Sequence, residues 1–284
     1  MATPSTWLIT GASSGLGRSL ALAALESKHK VIGTTRDVEK AKEAFPEFSV
    51  KGGIWVELDP GAEDAYEAFA KCAQEHDVDV LVNNAGYAFI GGVEDTSESD
   101  VRAQMEVNFY GSLRAVRACL PVLRAKSSGQ VILISSGAGF IARPSRGIYS
   151  ASKFAIEAMH EALSYEVKDL GIKVLIVEPG AFKTSFASRV LTPTYLENGF
   201  SEGYKGTEVE QMVNIARGWT DASEFLKGDP DKAARAIVQA ANTDHDYLRL
   251  PLGPDCVAAL ETKIGQLQKD LEATRSVANS TDAD

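Results

Sequence analysis

The sequence predicts an α/β fold in which one parallel sheet is doubly wound, with helices on both of its faces. Three observations carry this. Short, β-rich apolar runs alternate with longer helical segments along most of the chain. Several of those runs are continuously apolar rather than alternating, as strands buried on both faces are. The first run, TWLIT, passes through a glycine-rich turn directly into a helix-like segment.

The strand-like runs are TWLIT (6–10), KVIGTT (30–35), GIWVEL (53–58), VDVLVN (78–83), QVILIS (130–135), KVLIVE (173–178) and, more weakly, YLRLPL (247–252), giving about seven strands. Between them lie helix-like segments at 16–28, 37–45, 62–76, 98–126 and 149–170. Gly171 is placed as a helix C-cap after EVKDL. After Pro179–Gly180 the pattern changes. Residues 180–228 hold no convincing strand but carry Phe182, Phe186, Tyr195, Phe200, Tyr204, Trp219 and Phe225. A connection of that length is commonly a functional lid or disordered, and its aromatic content disfavours disorder. We read it as a substrate lid over an apolar pocket. A helix returns at 230–242, and 254–275 reads as a C-terminal helix. The polar end, 276–284, reads as a flexible tail. No repeat or linker interrupts the chain, and 1–284 is read as one domain.

Composition excludes several functions. Of the 284 residues, 44% are apolar and 24% charged, as in ordinary globular domains. A net charge of −10 with no basic stripe argues against a nucleic-acid partner. No basic and apolar leader opens the chain, and no apolar run approaches the ~18 residues of a membrane span. The expectation is therefore a cytoplasmic protein with no membrane span. Cys72, Cys119 and Cys256 are widely spaced and odd in number, which fits free, buried thiols in a reducing compartment. His29, His76, His160 and His245 form no metal-binding spacing with Cys, Asp or Glu, and no metal is expected.

The glycine turn carries the first chemistry. Gly11, Gly15 and Gly17 follow G-x-x-x-G-x-G spacing. Glycine lets a backbone approach a pyrophosphate, and the helix that starts there offers free N–H groups and a positive dipole end. The spacing departs from the G-x-G-x-x-G dinucleotide fingerprint. At the end of the second strand, an acid would bind the ribose 2′-hydroxyl of NAD, and an arginine would accommodate the 2′-phosphate of NADP. Thr35 occupies the acid position and Arg36 follows. Asp37 is the rival, but it sits where a helix N-cap belongs. Arg36 is therefore favoured as a 2′-phosphate ligand over a plain surface charge, with Ser13 placed to help. Asp59, ending the third strand, is either an adenine contact or a loop cap.

TGASSGLG (10–17), NNAG (83–86), Asn108, Ser136, and Tyr149 with Lys153 occur in one order. In this the chain resembles the short-chain dehydrogenases/reductases. The resemblance spans roughly residues 5–252, lies in the non-extended branch, and is nearest the group of 17β-hydroxysteroid and retinol dehydrogenases. It implies a Rossmann-like fold and a nicotinamide cofactor, here NADP(H) rather than NAD(H). It also implies a catalytic set of Asn108, Ser136, Tyr149 and Lys153. Tyr149 would be general acid in reduction and general base in oxidation. Lys153, one helical turn on, would lower its pKa and hold the nicotinamide ribose. Ser136, 13 residues before Tyr149, would orient the substrate oxygen. Ser135 is the alternative, and the spacing favours Ser136. Asn108 would hold a water linked to Lys153.

The cofactor would also meet Ser14 and Leu16 of the glycine loop, and Asn83, Ala85 and Gly86 after the fourth strand. Pro179, Gly180, Phe182 and Thr184 would meet it after the sixth. His160 shares a helix face with Tyr149, but about 16 Å of helix separates them, so it reads as a packing or interface residue.

The resulting expectation is an NADPH-dependent carbonyl reductase, reversible as an alcohol dehydrogenase, acting on a largely apolar small molecule. Tyr87, Phe89, Phe140 and Ile141 join the lid aromatics as pocket candidates, with core packing as the equal alternative. Arg143 and Arg146 are either ligands for an acidic substrate group or solvated loop charges, the latter favoured. A cyclase or isomerase on the same fold, or an NAD-dependent alcohol dehydrogenase, are the competing functions. A homodimer or homotetramer is compatible with the resemblance.

Overall fold

The computed structural model describes residues 3–218 and 226–283. Trp219 and Phe225, two of the lid aromatics, lie outside the described residues. All seven expected strands form: β1 (Thr6–Ile9), β2 (Lys30–Thr35), β3 (Ile54–Glu57), β4 (Val80–Asn83), β5 (Gly129–Ile134), β6 (Ile172–Pro179) and β7 (Arg249–Leu252). They pair in parallel in the order β3-β2-β1-β4-β5-β6-β7. The order reverses between β1 and β4. In a sheet of this kind, that reversal opens a crevice at the carboxyl ends of the strands.

The apolar runs divide between the two faces by strand alternation. Trp7 and Ile9 join Leu20, Ala21 and Ala24 of α1 (Gly15–Glu26) and Ala234, Ile237 and Val238 of α9 (Pro230–Ala241) in one core. Leu8 points the other way. It joins Phe69 and Cys72 of α4 (Ala65–His76), Val116, Cys119 and Leu123 of α6 (Ser112–Lys126), and Leu163 and Val167 of α7 (Gly147–Val167). Burying both faces is what allows the strands to lack polar alternation.

The segment after β2 forms two short helices, α2 (Val38–Ala44) and α3 (Pro46–Val50). Asp37 caps α2 by accepting from the Lys40 amide at 2.9 Å. Gly171 ends the turn after α7 with φ of 71°, the left-handed conformation a C-cap glycine supplies.

The segment read as one helix over 98–126 is broken. α5 (Glu98–Met105) and α6 are joined by a π-helical turn, Glu106–Gly111. Such a turn adds a residue to the helix and commonly marks a functional position. Hydrophobic periodicity barely registers one extra residue, so the sequence reads straight through it.

Residues 180–218 fold over the crevice as loops, two 3₁₀ turns and α8 (Glu208–Arg217). They are tied to the loop after β4. Leu191 donates to Ala88 O at 2.9 Å and accepts from the Ile90 amide at 2.8 Å. The Tyr195 hydroxyl donates to Asp95 O at 2.6 Å. A small core of its own holds the segment, with Phe200, Val213, Ala216 and Tyr204 packed on Ile90.

The C-terminal helix α10 (Pro254–Ala278) runs three residues past its expected end, into the stretch read as tail. Its first turns pack on the sheet through Cys256 and Ala259, and beyond them its side chains stand in solvent.

Candidate active site

At the crevice lies a cavity of about 1270 Å³. Its floor is the set of strand ends, so each side chain follows from the residue that terminates a strand or opens the next helix. On the β1 side it is lined by Gly11, Ser13, Ser14, Gly15 and Leu16. Gly11 and Gly15 have φ of 64° and 55°, which only glycine adopts without strain. Ser14 is the N-cap of α1 and makes no side-chain cap bond, so the first amides of α1 have no side-chain partner.

Gly17 does not line the cavity. A Cβ there would meet Asn84 Nδ2 at 2.4 Å and Gly11 O at 2.6 Å, so its role is close packing behind the loop. Sequence reasoning passed over Asn84 and Thr10, which build this brace. Asn84 donates to Thr10 O at 2.8 Å and Gly11 O at 3.2 Å, and Thr10 Oγ1 accepts from the amides of Asn84 and Ala85 at 2.9 Å each.

Asn83, expected beside the cofactor, is turned away from the cavity. It ends β4 with its side chain buried toward α6 and α7, donating to Ser112 O at 3.2 Å and standing 3.5 Å from His160 Nε2. Strand alternation explains this placement, since Asn83 and its neighbour Asn84 face opposite ways. Ala85 and Gly86 do line the cavity. His160 is fully buried, bonds Ile156 O at 2.8 Å through Nδ1, and has its pKa lowered to about 4 by burial. It packs the core, and the interface alternative falls away.

Arg36 is exposed at the β2 end of the cavity, with Lys40 beside it on the lining. Asp59 lines the same end and accepts from the Gly61 amide at 3.0 Å, so one of its oxygens is a loop cap. On the opposite flank lie Pro179, Gly180, Phe182 and Thr184. Cys256 also lines the cavity, but its thiol donates to Glu178 O at 2.9 Å and burial raises its pKa to about 12, so it is no nucleophile. Cys72 and Cys119 are buried too.

Ser136, Tyr149 and Lys153 all line the cavity. Ser136 follows β5, caps a short 3₁₀ turn by accepting from the Ala138 amide at 3.1 Å, and faces Tyr149. Ser135, its rival, spends its hydroxyl on buried Glu157. Lys153 is buried and donates to Ile134 O at 3.0 Å.

The electrostatics differ from the expectation that Lys153 lowers the Tyr149 pKa. Burial raises it, and the Ser136 hydroxyl and the Arg146 charge only partly offset that. The Lys153 ammonium is engaged with the Ile134 carbonyl, and burial lowers its own pKa to about 8. Without a second ligand in the cavity, Tyr149 is a protonated acid.

Asn108 sits in the π turn, buried and off the cavity wall. It donates to Tyr87 O and Ser152 Oγ at 3.0 Å each, and its Oδ1 accepts from the Tyr87 amide at 3.2 Å. A Cβ on Gly86 would lie 3.0 Å from Asn108 Oδ1, a tight contact, and 3.8 Å from Lys153 Nζ, an ordinary one.

Of the aromatics expected to face the pocket, Phe182, Phe186 and Tyr87 line the cavity, with Ile141. The Phe186 ring lies 6.3 Å from that of Tyr149. Phe200 and Tyr204 pack inside the segment's own core, Phe89 is buried, and Phe140 lies off the lining. Aromatic content could not separate a pocket wall from the packing that holds the wall in place.

Among the described residues no group of three His, Cys, Asp or Glu side chains could hold a metal ion. No described helix is long and apolar enough to cross a membrane.

The model of the short chain dehydrogenase family matches residues 5–193. The chain is 44% identical over 214 residues to oxidoreductase claN of Passalora fulva, covering 75% of this chain and 96% of that one. It is 30% identical to retinol dehydrogenase 8 of Homo sapiens over 87% of this chain and 81% of the other. A crystal structure of a short-chain dehydrogenase from Streptomyces avermitilis superposes with a TM-score of 0.86 at 36% identity, covering 99% and 100% of the two chains. More distant structures of the same fold carry NADP in one case and NAD in another.

Proposed function

The chain belongs to the short-chain dehydrogenase family, and on that premise we propose that it is an NADPH-dependent carbonyl reductase whose proton donor is Tyr149. One observation carries the reading. A buried, protonated tyrosine faces a serine hydroxyl, one helical turn from a buried lysine, on the wall of a cavity that begins at an uncapped helix N-terminus.

The residues present fit a nicotinamide dinucleotide. The positive-φ glycines and free α1 amides suit a pyrophosphate. Arg36 and Lys40 supply cations where a 2′-phosphate would lie, and Asp37, the acid that would favour NAD, is committed to capping α2. Gly11, Ser13, Ser14, Gly15 and Leu16 would hold the pyrophosphate with Ala85 and Thr184 beside them, and Gly86, Pro179, Gly180 and Phe182 would meet the rest of the cofactor. Gly17 and Asn83 act from behind, through the loop and the sheet.

A bound NADPH would supply the hydride that reaches the carbonyl carbon. Ser136 donates a hydrogen bond to the carbonyl oxygen and stabilises the charge that develops there. Tyr149 Oη gives that oxygen its proton, completing the alcohol, and the Ser136 hydroxyl and the Arg146 charge favour the phenolate left behind, while the Lys153 ammonium would hold the ribose of the nicotinamide. Residues 180–218 act as a lid, and Phe186, Phe182, Tyr87 and Ile141 give the substrate side an apolar wall.

NADPH consumption with a panel of ketones and aldehydes tests this. We expect Tyr149→Phe to lower kcat by about 10³-fold while NADPH affinity stays within about threefold. Turnover that survives the substitution, or proceeds without cofactor, sinks the reading and favours a non-redox reaction in the same pocket.

A further inference from the structure

The cavity has an unbalanced charge that the proposed reduction does not use. Arg143 and Arg146, on the loop between β5 and α7, and Arg189, in the 3₁₀ turn Ala187–Arg189, all line it. None makes an ion pair or a side-chain hydrogen bond among the described residues.

The cavity's acids are engaged elsewhere. Glu106 pairs with Arg114, Asp255 accepts from the Ala181 amide at 2.8 Å, Asp59 from the Gly61 amide at 3.0 Å, and Asp37 caps α2. Arg143 and Arg146 lie beyond β5, on the opposite side of β1 from Arg36, so they are not part of the 2′-phosphate end.

Arg146 is the informative member. It immediately precedes the helix that carries Tyr149, is only half exposed, and its strongest charged neighbours are Arg143 and Tyr149. Burial and the like charge of Arg143 both work against its ionisation. Arg143 beside it is exposed, and a partly buried guanidinium next to a like charge is costly without an anion. In a chain of net charge −10, protein carboxylates are plentiful, yet none among the described residues is placed here.

We propose that Arg143 and Arg146 form a carboxylate-binding subsite, so that the substrate is an apolar carbonyl compound bearing a carboxylate on the side away from the cofactor. The assignment deepens the reductase reading and rests on it for the word substrate. The planar guanidinium matches a carboxylate's two oxygens, and Tyr87, Ile141 and Phe186 on the same cavity lining give the apolar body its wall. Arg189 is placed to add field from the lid.

Binding to the NADPH-loaded protein separates this from catalysis, since the cofactor then occupies Arg36 and Lys40. Titration calorimetry with decanoate and decanamide compares one chain with and without the charge. The wild type is expected to bind decanoate about ten- to a hundredfold more tightly than decanamide. Arg146→Gln and Arg143→Gln should each remove most of that preference, leave decanamide affinity within about threefold, and be rescued in part by Arg146→Lys. Equal affinities in the wild type, or a preference that survives both substitutions, overturns the subsite. A protein that prefers decanoate yet consumes NADPH with no carbonyl compound overturns the reductase and leaves the anion site standing. Reduction of neutral ketones with no carboxylate preference does the reverse.

Discussion

Asn108 Nδ2 donates to Ser152 Oγ at 3.0 Å, and Ser152 Oγ donates onward to Tyr149 O at 2.7 Å. The π turn is thereby fastened to the helix turn that carries the proposed acid. Asn108 neither lines the cavity nor bonds Lys153, and we propose that it acts by positioning.

Asn108→Ala should therefore reduce kcat by about 10- to 100-fold, leaving the KM for NADPH within about threefold. Ser152→Ala should show a smaller loss of the same kind. A stopped-flow comparison checks this, and a KM effect larger than the kcat effect would place Asn108 in cofactor binding instead.

Arg36 has no partner among the described residues and lines the β2 end of the cavity. Arg36→Asp should raise the KM for NADPH by about 10- to 100-fold and change that for NADH by only a few-fold. Steady-state kinetics with both cofactors decides, and equal effects would remove the 2′-phosphate assignment.

The buried Lys153 sets a pH dependence. Its folded pKa, about 8, lies below its ordinary 10.5. Below about 8 both the folded and unfolded chains carry the proton, and the native state bears the full cost of the buried charge. Between about 8 and 10.5 the unfolded chain holds a proton the native chain has released, so this group's contribution to stability rises with pH. Activity runs the other way. In the proposed mechanism Lys153 works as the ammonium, so carbonyl reduction should decline as pH rises through about 8. A kcat profile from pH 6 to 10 tests the second statement. The first is tested by urea midpoints for wild type and Lys153→Met, whose difference should shrink toward high pH.

Behind the site, Arg249 of β7 pairs with Glu157, with Glu178 at 2.8 Å and with Glu161 at 2.7 Å. Glu157 and Glu178 are buried, and burial with the Glu157 charge raises Glu178 to about 7. Arg249→Met should cost about 3–5 kcal/mol by stranding two buried carboxylates. Adding Glu178→Gln should restore part of that, and denaturant melts of the single and double variants measure it. An additive loss would show that Arg249 acts through packing rather than charge.

The sheet was legible because its strands are buried on both faces, and nothing else makes KVLIVE or QVILIS continuously apolar. The set of Ser136, Tyr149 and Lys153 was legible through the motif resemblance, with one helical turn placing Tyr149 and Lys153 on the same helix face. The sidedness of Asn83 was not, since it turns on where β4 stops, a matter of one residue. The π turn escaped notice for a similar reason. The place of Arg146 on the cavity lining was not legible, because a loop arginine looks the same in sequence whether it faces solvent or a cavity. The Glu157–Arg249 contact joins residues 92 apart in the chain and had no local signature.

The C-terminal helix has a practical side. Its first two turns supply Asp255, Cys256 and Ala259 to the cavity wall, and the rest stands clear of the body. At 1.5 Å per residue, the helix carries its end roughly 28 Å beyond Ala259. An affinity tag, a surface tether or a fused partner attached there is held on a built-in spacer, well away from the cavity. Trimming back toward Leu260 would shorten the spacer, whereas cutting into Pro254–Ala259 would open the wall.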